Sequence, residues 1–218
     1  MLKGQIGPVR AIVPLKAMKK SKTRLSGLRP EDRAKLTLAM LRNVLVALGN
    51  ARGISDVTVV SGDRSASRIA HRYGATFLWE GKKPGLNKAL KLAIAKLEQR
   101  ATGSAMIIHA DLPLLTSQDI DSFVSRSQDC HIAIVPCKNG TGTNALLLRP
   151  PNAIPPVFGK GSYKMHLSLA KNTGFRWKVL RIRGIQFDID DSRDLRQFMR
   201  HNGRNRCFRF LMRRRQSN

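Results

Sequence analysis

Carboxylates are scarce in this chain, and those beside expected strand ends are the first candidates for chemistry. In His109-Ala110-Asp111-Leu112-Pro113 the apolar run Ala105 to Ile108 comes first, so Asp111 emerges at a strand exit and Pro113 ends the pairing. A carboxylate there can hold Mg²⁺, which takes a few acidic ligands together with phosphate oxygens and water. The plainer alternative is a helix cap or turn residue. Phe187-Asp188-Ile189-Asp190 alternates apolar and acidic, so an extended segment turns both carboxylates to one side. Like charges so placed repel unless a cation compensates. Asp188 and Asp190 are therefore further metal candidates, with basic neighbours as the alternative partners.

Cations and glycines supply the counterpart. Pro14-Leu15-Lys16 closes the first expected strand and leads into Lys19-Lys20-Ser21-Lys22-Thr23-Arg24-Leu25. Cations and hydroxyls at a strand end suit a triphosphate, although a solvated basic loop would read the same way. The segment is not a Walker A loop, since G-x-x-x-x-G-K-[ST] is absent. Gly140-Thr141-Gly142-Thr143-Asn144 and Phe158-Gly159-Lys160-Gly161-Ser162-Tyr163 let backbone amides approach a ligand, and Thr143 and Ser162 can donate to a phosphate or carboxylate at a helix start. Gly85-Leu86-Asn87 opens a helix and reads as a cap or as a base contact. His71, His109, His131, His166 and His201 have neither zinc spacing nor a nucleophile elbow, which sets aside zinc and hydrolase triads. His166, four residues after Ser162, is a candidate to line the acceptor site.

Regular elements must position these groups. Apolar runs at Val9 to Leu15, Val57 to Ser61, Ala75 to Leu78, Ala105 to His109, Ile132 to Pro136 and Ala145 to Leu148 predict buried strands. Between them, Glu31 to Leu48 carries an apolar stripe through Ala34, Leu38, Leu41, Leu45 and Leu48, with Pro30 in the first turn. Leu86 to Gln99 repeats the pattern. Thr116 with Asp119, and Asp191 with Asp194, mark capping boxes before two further helices. Alternating strands and helices predict a mostly parallel sheet covered on both faces, with ligands beyond the carboxyl ends of the strands.

The chain has 218 residues and a formal charge of +26, a field that attracts nucleotides, nucleic acid or acidic surfaces. The charge is uneven: residues 1 to 30 hold eight cations and no acid, and no acid occurs from Cys130 to Phe187. The absence of a signal or an apolar run of membrane length predicts a cytoplasmic protein. Cys130, Cys137 and Cys207 form no metal or disulfide pattern and read as reduced thiols. One domain over residues 1–199 and an arginine-rich tail over 200–218 is the expected division.

Taken in order, V-P-L-K…K-S-K-T-R-L, G-L-N-K-A-L, H-A-D-L-P-L-L, G-T-G-T-N-A-L-L-L-R-P, F-G-K-G-S-Y-K-M-H and F-D-I-D-D resemble the 2-phospho-L-lactate and phosphoenolpyruvate guanylyltransferases of coenzyme F-420 biosynthesis. The motifs run from Val9 to Asp194, with the tail from Arg200 outside them. The resemblance implies an α/β, Rossmann-like three-layer nucleotidyltransferase fold similar to the molybdenum-cofactor guanylyltransferases. It also implies attack of the acceptor's phosphate on the α-phosphorus of GTP, with pyrophosphate leaving. By position, Thr143, Gly159 and Ser162 match the residues that hold the phosphorylated acid. Pro14, Leu15, Lys16, Lys22, Gly85 and Asn87 fall on nucleotide-binding segments, with Lys22 and Arg24 beside the reacting phosphates. Asp111 and the pair Asp188 and Asp190 match the family's Mg²⁺-side acids, with either member of the pair open as the one that touches the ion, and Asp111, Lys22 and Arg24 are the expected catalytic set. The usual Thr-Pro-Glu-Asp-Leu after the acidic pair is replaced by Asp191-Ser192-Arg193-Asp194-Leu195, which keeps the helix cap chemically.

Two other readings compete. A nucleic-acid-binding protein would suit the charge and the tail, but the twelve aromatics form no RNA-binding motif. A sugar or cofactor nucleotidyltransferase of the same fold would be expected to carry a Gly-Gly-rich first loop, which is missing. The expected partners are GTP and a small phosphorylated acid; a homodimer stays open, and nucleic acid would engage only the tail.

Overall fold

The computed structural model of the protein describes residues 7–16, 22–81, 85–98 and 103–200. Its elements are β1 (Val9–Leu15), α1 (Pro30–Gly49), β2 (Ile54–Ser61), α2 (Ser65–Arg72), β3 (Thr76–Trp79), α3 (Leu86–Glu98), β4 (Ser104–Ile108), α4 (Ser117–Arg126), β5 (Ile132–Pro136), β6 (Thr143–Leu148), α5 (Ser162–Lys171), β7 (Trp177–Val179), α6 (Arg183–Gln186) and α7 (Ser192–Arg200). The strands form one seven-stranded sheet in the order β3-β2-β1-β4-β6-β5-β7. Pairing is parallel for β2/β3, β1/β2, β1/β4 and β5/β7, and antiparallel where β6 meets β4 and β5. The expected α/β architecture with a mostly parallel sheet is the one observed.

Strand alternation divides the core. Val9, Ala11, Val13, Met106, Ile108, Ala133, Val135, Ala145 and Leu147 face α1 and α4, whose Leu41, Val44, Leu45, Ile120 and Phe123 close that layer. Ile12, Ala105, Ile107, Ile132, Ile134, Leu146 and Leu148 face the opposite way, onto Leu90, Ile94 and Leu97 of α3 and Ala170 of α5. Because both faces are covered, these strands read as continuous apolar runs.

A third cluster matters most for function. Leu25, Leu36, Ala39, Met40, Phe187, Ile189 and Phe198 bury one another, tying the loop after β1, the first half of α1, the segment before α7 and α7 itself together. This second packing surface corrects the expected stripe on α1. Ala34 and Leu38 are only half-buried, whereas Leu36, Met40 and Val44 are fully buried. The helix is covered on two sides, and a single stripe describes one.

Both capping boxes form. Thr116 Oγ1 accepts from the Asp119 amide while the Asp119 carboxylate accepts from the Thr116 amide. Asp191 Oδ1 likewise accepts from the Asp194 amide, and Asp194 Oδ2 from those of Asp190 and Asp191. Strand β7 escaped the sequence because three residues, Trp177-Lys178-Val179, carry no readable period. Among the described residues, no helix is long and apolar enough to cross a membrane.

Candidate active site

Every strand except β6 points the same way, so the ends of β1 and β4 and the start of β6 meet at one edge of the sheet. There Ile108 pairs with Ala145, and the His109 amide donates to the Asn144 carbonyl. Antiparallel β6 is why Thr143 and Asn144, which begin a strand, reach the edge where Asp111 follows one. The third cluster then brings in the remaining groups. Phe187 and Ile189 are buried in it, so Asp188 and Asp190 project the other way, and the Ile189 amide donates to the Asp111 carbonyl. The alternation read from the sequence works although the segment joins no sheet.

Among the described residues of the basic loop, Lys22 is the cation that meets the acids at this edge. Its ammonium lies 2.5 Å from Asp111 Oδ2 and 2.9 Å from Asp190 Oδ1, with only 9% of the side chain exposed. Burial alone would lower the Lys22 pKa, but Asp111 and Asp190 outweigh it and hold the amine above its ordinary value. Burial likewise works to raise the Asp111 carboxyl, and Lys22 with His109 holds it below the usual range. Lys22 also has φ 54°, the left-handed region that a non-glycine residue rarely enters. Buried Leu25, whose amide donates to the Lys22 carbonyl, anchors that turn. Arg24 is exposed on the same turn and Lys16 is exposed at the end of β1. Lys19, Lys20 and Ser21 lie outside the described residues.

The acids fit a divalent cation in part. Asp111 Oδ1 is buried without a hydrogen-bond partner, and Asp188 is pushed up to about 7 by burial and then by Asp111 and Asp190. Crowded, under-satisfied carboxylates are what a cation relieves. Among the described residues, no three His, Cys, Asp or Glu groups converge into a complete cage, so any divalent cation held by these acids would take the rest of its shell from water and ligand oxygens.

Without divalent metal, Asp188→Asn is expected to stabilise the protein at pH 8. A carboxyl at about 7 in the fold and near the ordinary value of about 4 unfolded keeps its proton in the folded state between those limits. Stability therefore falls as pH rises towards 7, and the amide removes that fall. A gain of roughly 2 kcal/mol, about 4–8 °C in Tm, should appear at pH 8 in EDTA and shrink at pH 5. Equal gains at both values would exclude carboxylate crowding as the cause.

The acceptor candidates also come together. The Thr143 amide donates to Ser162 Oγ at 3.0 Å, and the Ser162 amide donates to the Gly159 carbonyl. Gly159 (φ 135°) and Gly161 (φ 74°) occupy backbone regions that favour glycine, which lets the loop turn into α5. No side chain caps that helix, so the first-turn amides after that of Ser162 are the ones left to meet an anion. Thr143 Oγ1 and His166 Nδ1 are 2.9 Å apart, and the Val157 amide donates to His166 Nε2 at 3.0 Å. The Phe158 ring lies between those of His109 and His166, with centroids 5.2 and 4.8 Å away.

Asn87, read as a cap or a base contact, bonds to the acceptor loop in the fold. Its Oδ1 accepts from the Phe158 amide at 2.8 Å and its Nδ2 donates to the Phe158 carbonyl at 3.0 Å. Both ends of the amide are thus used to clamp the acceptor loop to α3. Gly85 is the residue before α3, its carbonyl accepting from the Ala89 amide. Pro14 and Leu15 remain within β1.

Asn144 joins the site without having been a candidate for it. Its buried amide donates to the Ile185 and Gln186 carbonyls and to Asp188 Oδ1, so it places Asp188 beside the start of β6. A polar residue leading an otherwise apolar strand was the available signal.

The description "Guanylyl transferase CofC like" belongs to a family model that matches residues 9–217. The match passes Arg200, so the likeness is longer than the motifs, which end at Asp194. The phosphoenolpyruvate guanylyltransferase of Sphaerobacter thermophilus is 38% identical over 192 residues, 88% of this chain and 92% of that protein. That of Rubrobacter xylanophilus is 39% identical over 189 residues, covering 86% and 91%. In fold, the chain resembles a cytidylyltransferase from Leptospira borgpetersenii, with a TM-score of 0.61 at 13% identity over 97% of this chain and 95% of that one. An edge that gathers cations, crowded acids and an uncapped helix start thus sits in a chain that belongs to the CofC-like guanylyl transferase family.

Proposed function

We propose that this protein transfers GMP from GTP to a small phosphorylated carboxylic acid, phosphoenolpyruvate or 2-phospho-L-lactate, in coenzyme F-420 biosynthesis in the cytoplasm. The observation that carries the reading is the adjacency of two unlike half-sites. Lys22, Asp111, Asp188 and Asp190 form a charged centre, and Asn144 joins it to Thr143 and Ser162 at the uncapped start of α5. The first suits a nucleoside triphosphate and the second an anion. The names of the two bacterial relatives favour phosphoenolpyruvate as the acid.

In this reading an oxygen of the acid's phosphate attacks the α-phosphorus of GTP, the bond to the bridging oxygen of the β-phosphate breaks, and pyrophosphate leaves. The attacking phosphate is already ionised, so positioning and charge stabilisation suffice and no general base is required. Thr143, Ser162 and the first-turn amides of α5 hold the acid, while Lys16, Lys22 and Arg24 neutralise the triphosphate. Asp111 with Asp188 or Asp190 would hold Mg²⁺, which supplies further charge neutralisation at the phosphates when bound.

A substrate matrix tests the proposal. GTP with Mg²⁺ and one of the acids should yield pyrophosphate and a guanosine diphosphate ester by mass spectrometry, with ATP, CTP and UTP much poorer. Ser162→Ala should then raise the KM for the acid about tenfold or more and leave that for GTP nearly constant, since a hydrogen bond to a charged group contributes about 1.5–3 kcal/mol. An effect confined to GTP would reverse the assignment of the two half-sites. No pyrophosphate from any pairing would end the enzymatic reading.

A further inference from the structure

We infer that buried His166 is a positioning residue that makes Thr143 a hydrogen-bond donor to the bound acid. The inference rests on the acceptor half-site proposed above and adds a residue to it. The Val157 amide can only donate, and it points at His166 Nε2 at 3.0 Å, so Nε2 carries no proton. A neutral imidazole then has its proton on Nδ1, and Nδ1–H donates to Thr143 Oγ1 at 2.9 Å. Burial, with His109 adding to it, pushes the His166 pKa down to about 4, so the ring stays neutral at physiological pH. Thr143 Oγ1 is thereby an acceptor within the protein, and its own proton is left for another partner.

Ser162 is arranged the same way. Its Oγ accepts from the Thr143 amide, which leaves its O–H proton unspent. Two adjacent hydroxyls are thus set as donors by bonds from behind them. Such a pair matches a group with acceptors only, an ionised phosphate or carboxylate, and discriminates against a ligand presenting O–H or N–H there. The ring is itself fixed, because Phe158 stacks edge-on against it at 4.8 Å and is clamped through its backbone by Asn87. Among the described residues, His109 is the titratable group that acts on this ring, across Phe158, and burial lowers its pKa as well.

Three variants and a spectrum test the inference in the full chain. His166→Asn can place an N–H where Nδ1–H stands, whereas His166→Gln carries its amide to the Nε2 position and His166→Ala has neither. With wild-type turnover of GTP and the acid as the reference, the Ala and Gln variants should raise the KM for the acid at least tenfold. Their KM for GTP should change less than twofold and kcat less than threefold, and Asn should recover most of the loss. Nitrogen-15 NMR of the wild-type protein should show His166 with Nδ1 protonated from pH 5.5 to 8.

An Nε2-protonated ring, a ring that titrates within that range, or equal defects in Asn and Gln would overturn the assignment. So would parallel rises in both KM values, which mark a merely structural role. Absence of wild-type turnover with any acid would instead remove the proposed reaction, and the tautomer spectrum would still decide the hydrogen-bond assignment.

Discussion

Asp111→Asn is expected to lower turnover by roughly 10³-fold or more, about 4 kcal/mol in transition-state stabilisation, while the protein remains folded. Three features of Asp111 converge on this result. It leaves β4 at the sheet edge where α/β folds bind ligands, its Oδ1 accepts no hydrogen bond in the fold, and its Oδ2 holds Lys22. An amide keeps the shape but removes the charge that recruits a cation and fixes the ammonium. Stability should change by less than about 2 kcal/mol, because no core cluster contains Asp111 and Lys22 keeps Asp190. Pyrophosphate release at saturating Mg²⁺, GTP and acid, alongside a thermal melt, measures both quantities. Turnover within threefold of the wild type would remove Asp111 from the chemistry.

How far such a site is legible in a sequence depends on whether its geometry is local. Phe187-Asp188-Ile189-Asp190 could be read because the apolar members must be buried, and burying them turns the acids the other way. Thr143 and Ser162 stood out because glycines flank hydroxyls at expected element ends, whereas Gly159 entered only through the family resemblance. Asn87 could not. Its partner Phe158 lies 71 positions away, and nothing local separates a clamp from a base contact. His166 read as a core or surface residue or a candidate to line the acceptor site; it is buried, and its two partners, Val157 and Thr143, could not be foreseen because packing of α5 on the sheet sets them. The direction of β6 was equally hidden, since an apolar run has the same pattern in parallel and antiparallel pairing. In the basic loop, Lys22 stood out only through the family resemblance, and its pairing with Asp111 and Asp190 depends on tertiary position that the loop's own residues do not reveal.

Lys22→Met should destabilise the metal-free protein by about 3–5 kcal/mol, because it leaves two carboxylates near each other with their cation removed from a largely buried position. The loss should be smaller in the double variant with Asp111→Asn, where one of those charges is gone, so the two substitutions should be strongly non-additive. Added Mg²⁺ should recover part of it in the single variant by taking up the same charges. Turnover separates a catalytic lysine from a simple counter-ion. If Lys22 only fills the acidic notch until a metal arrives, Lys22→Met at saturating Mg²⁺ will turn over at the wild-type rate. If its ammonium moves onto the triphosphate when the metal binds Asp111, turnover will fall about 10²-fold or more under the same conditions, the loss expected for removing a charge stabiliser of the reacting phosphates. The second outcome is the one expected, because the protein holds Lys22 in a left-handed backbone conformation that costs on the order of 1 kcal/mol or more. A counter-ion alone would not require that strain, since Lys or Arg side chains can reach surface acids from ordinary backbone. Urea melts with EDTA and with Mg²⁺, run beside the pyrophosphate assay, decide between the two.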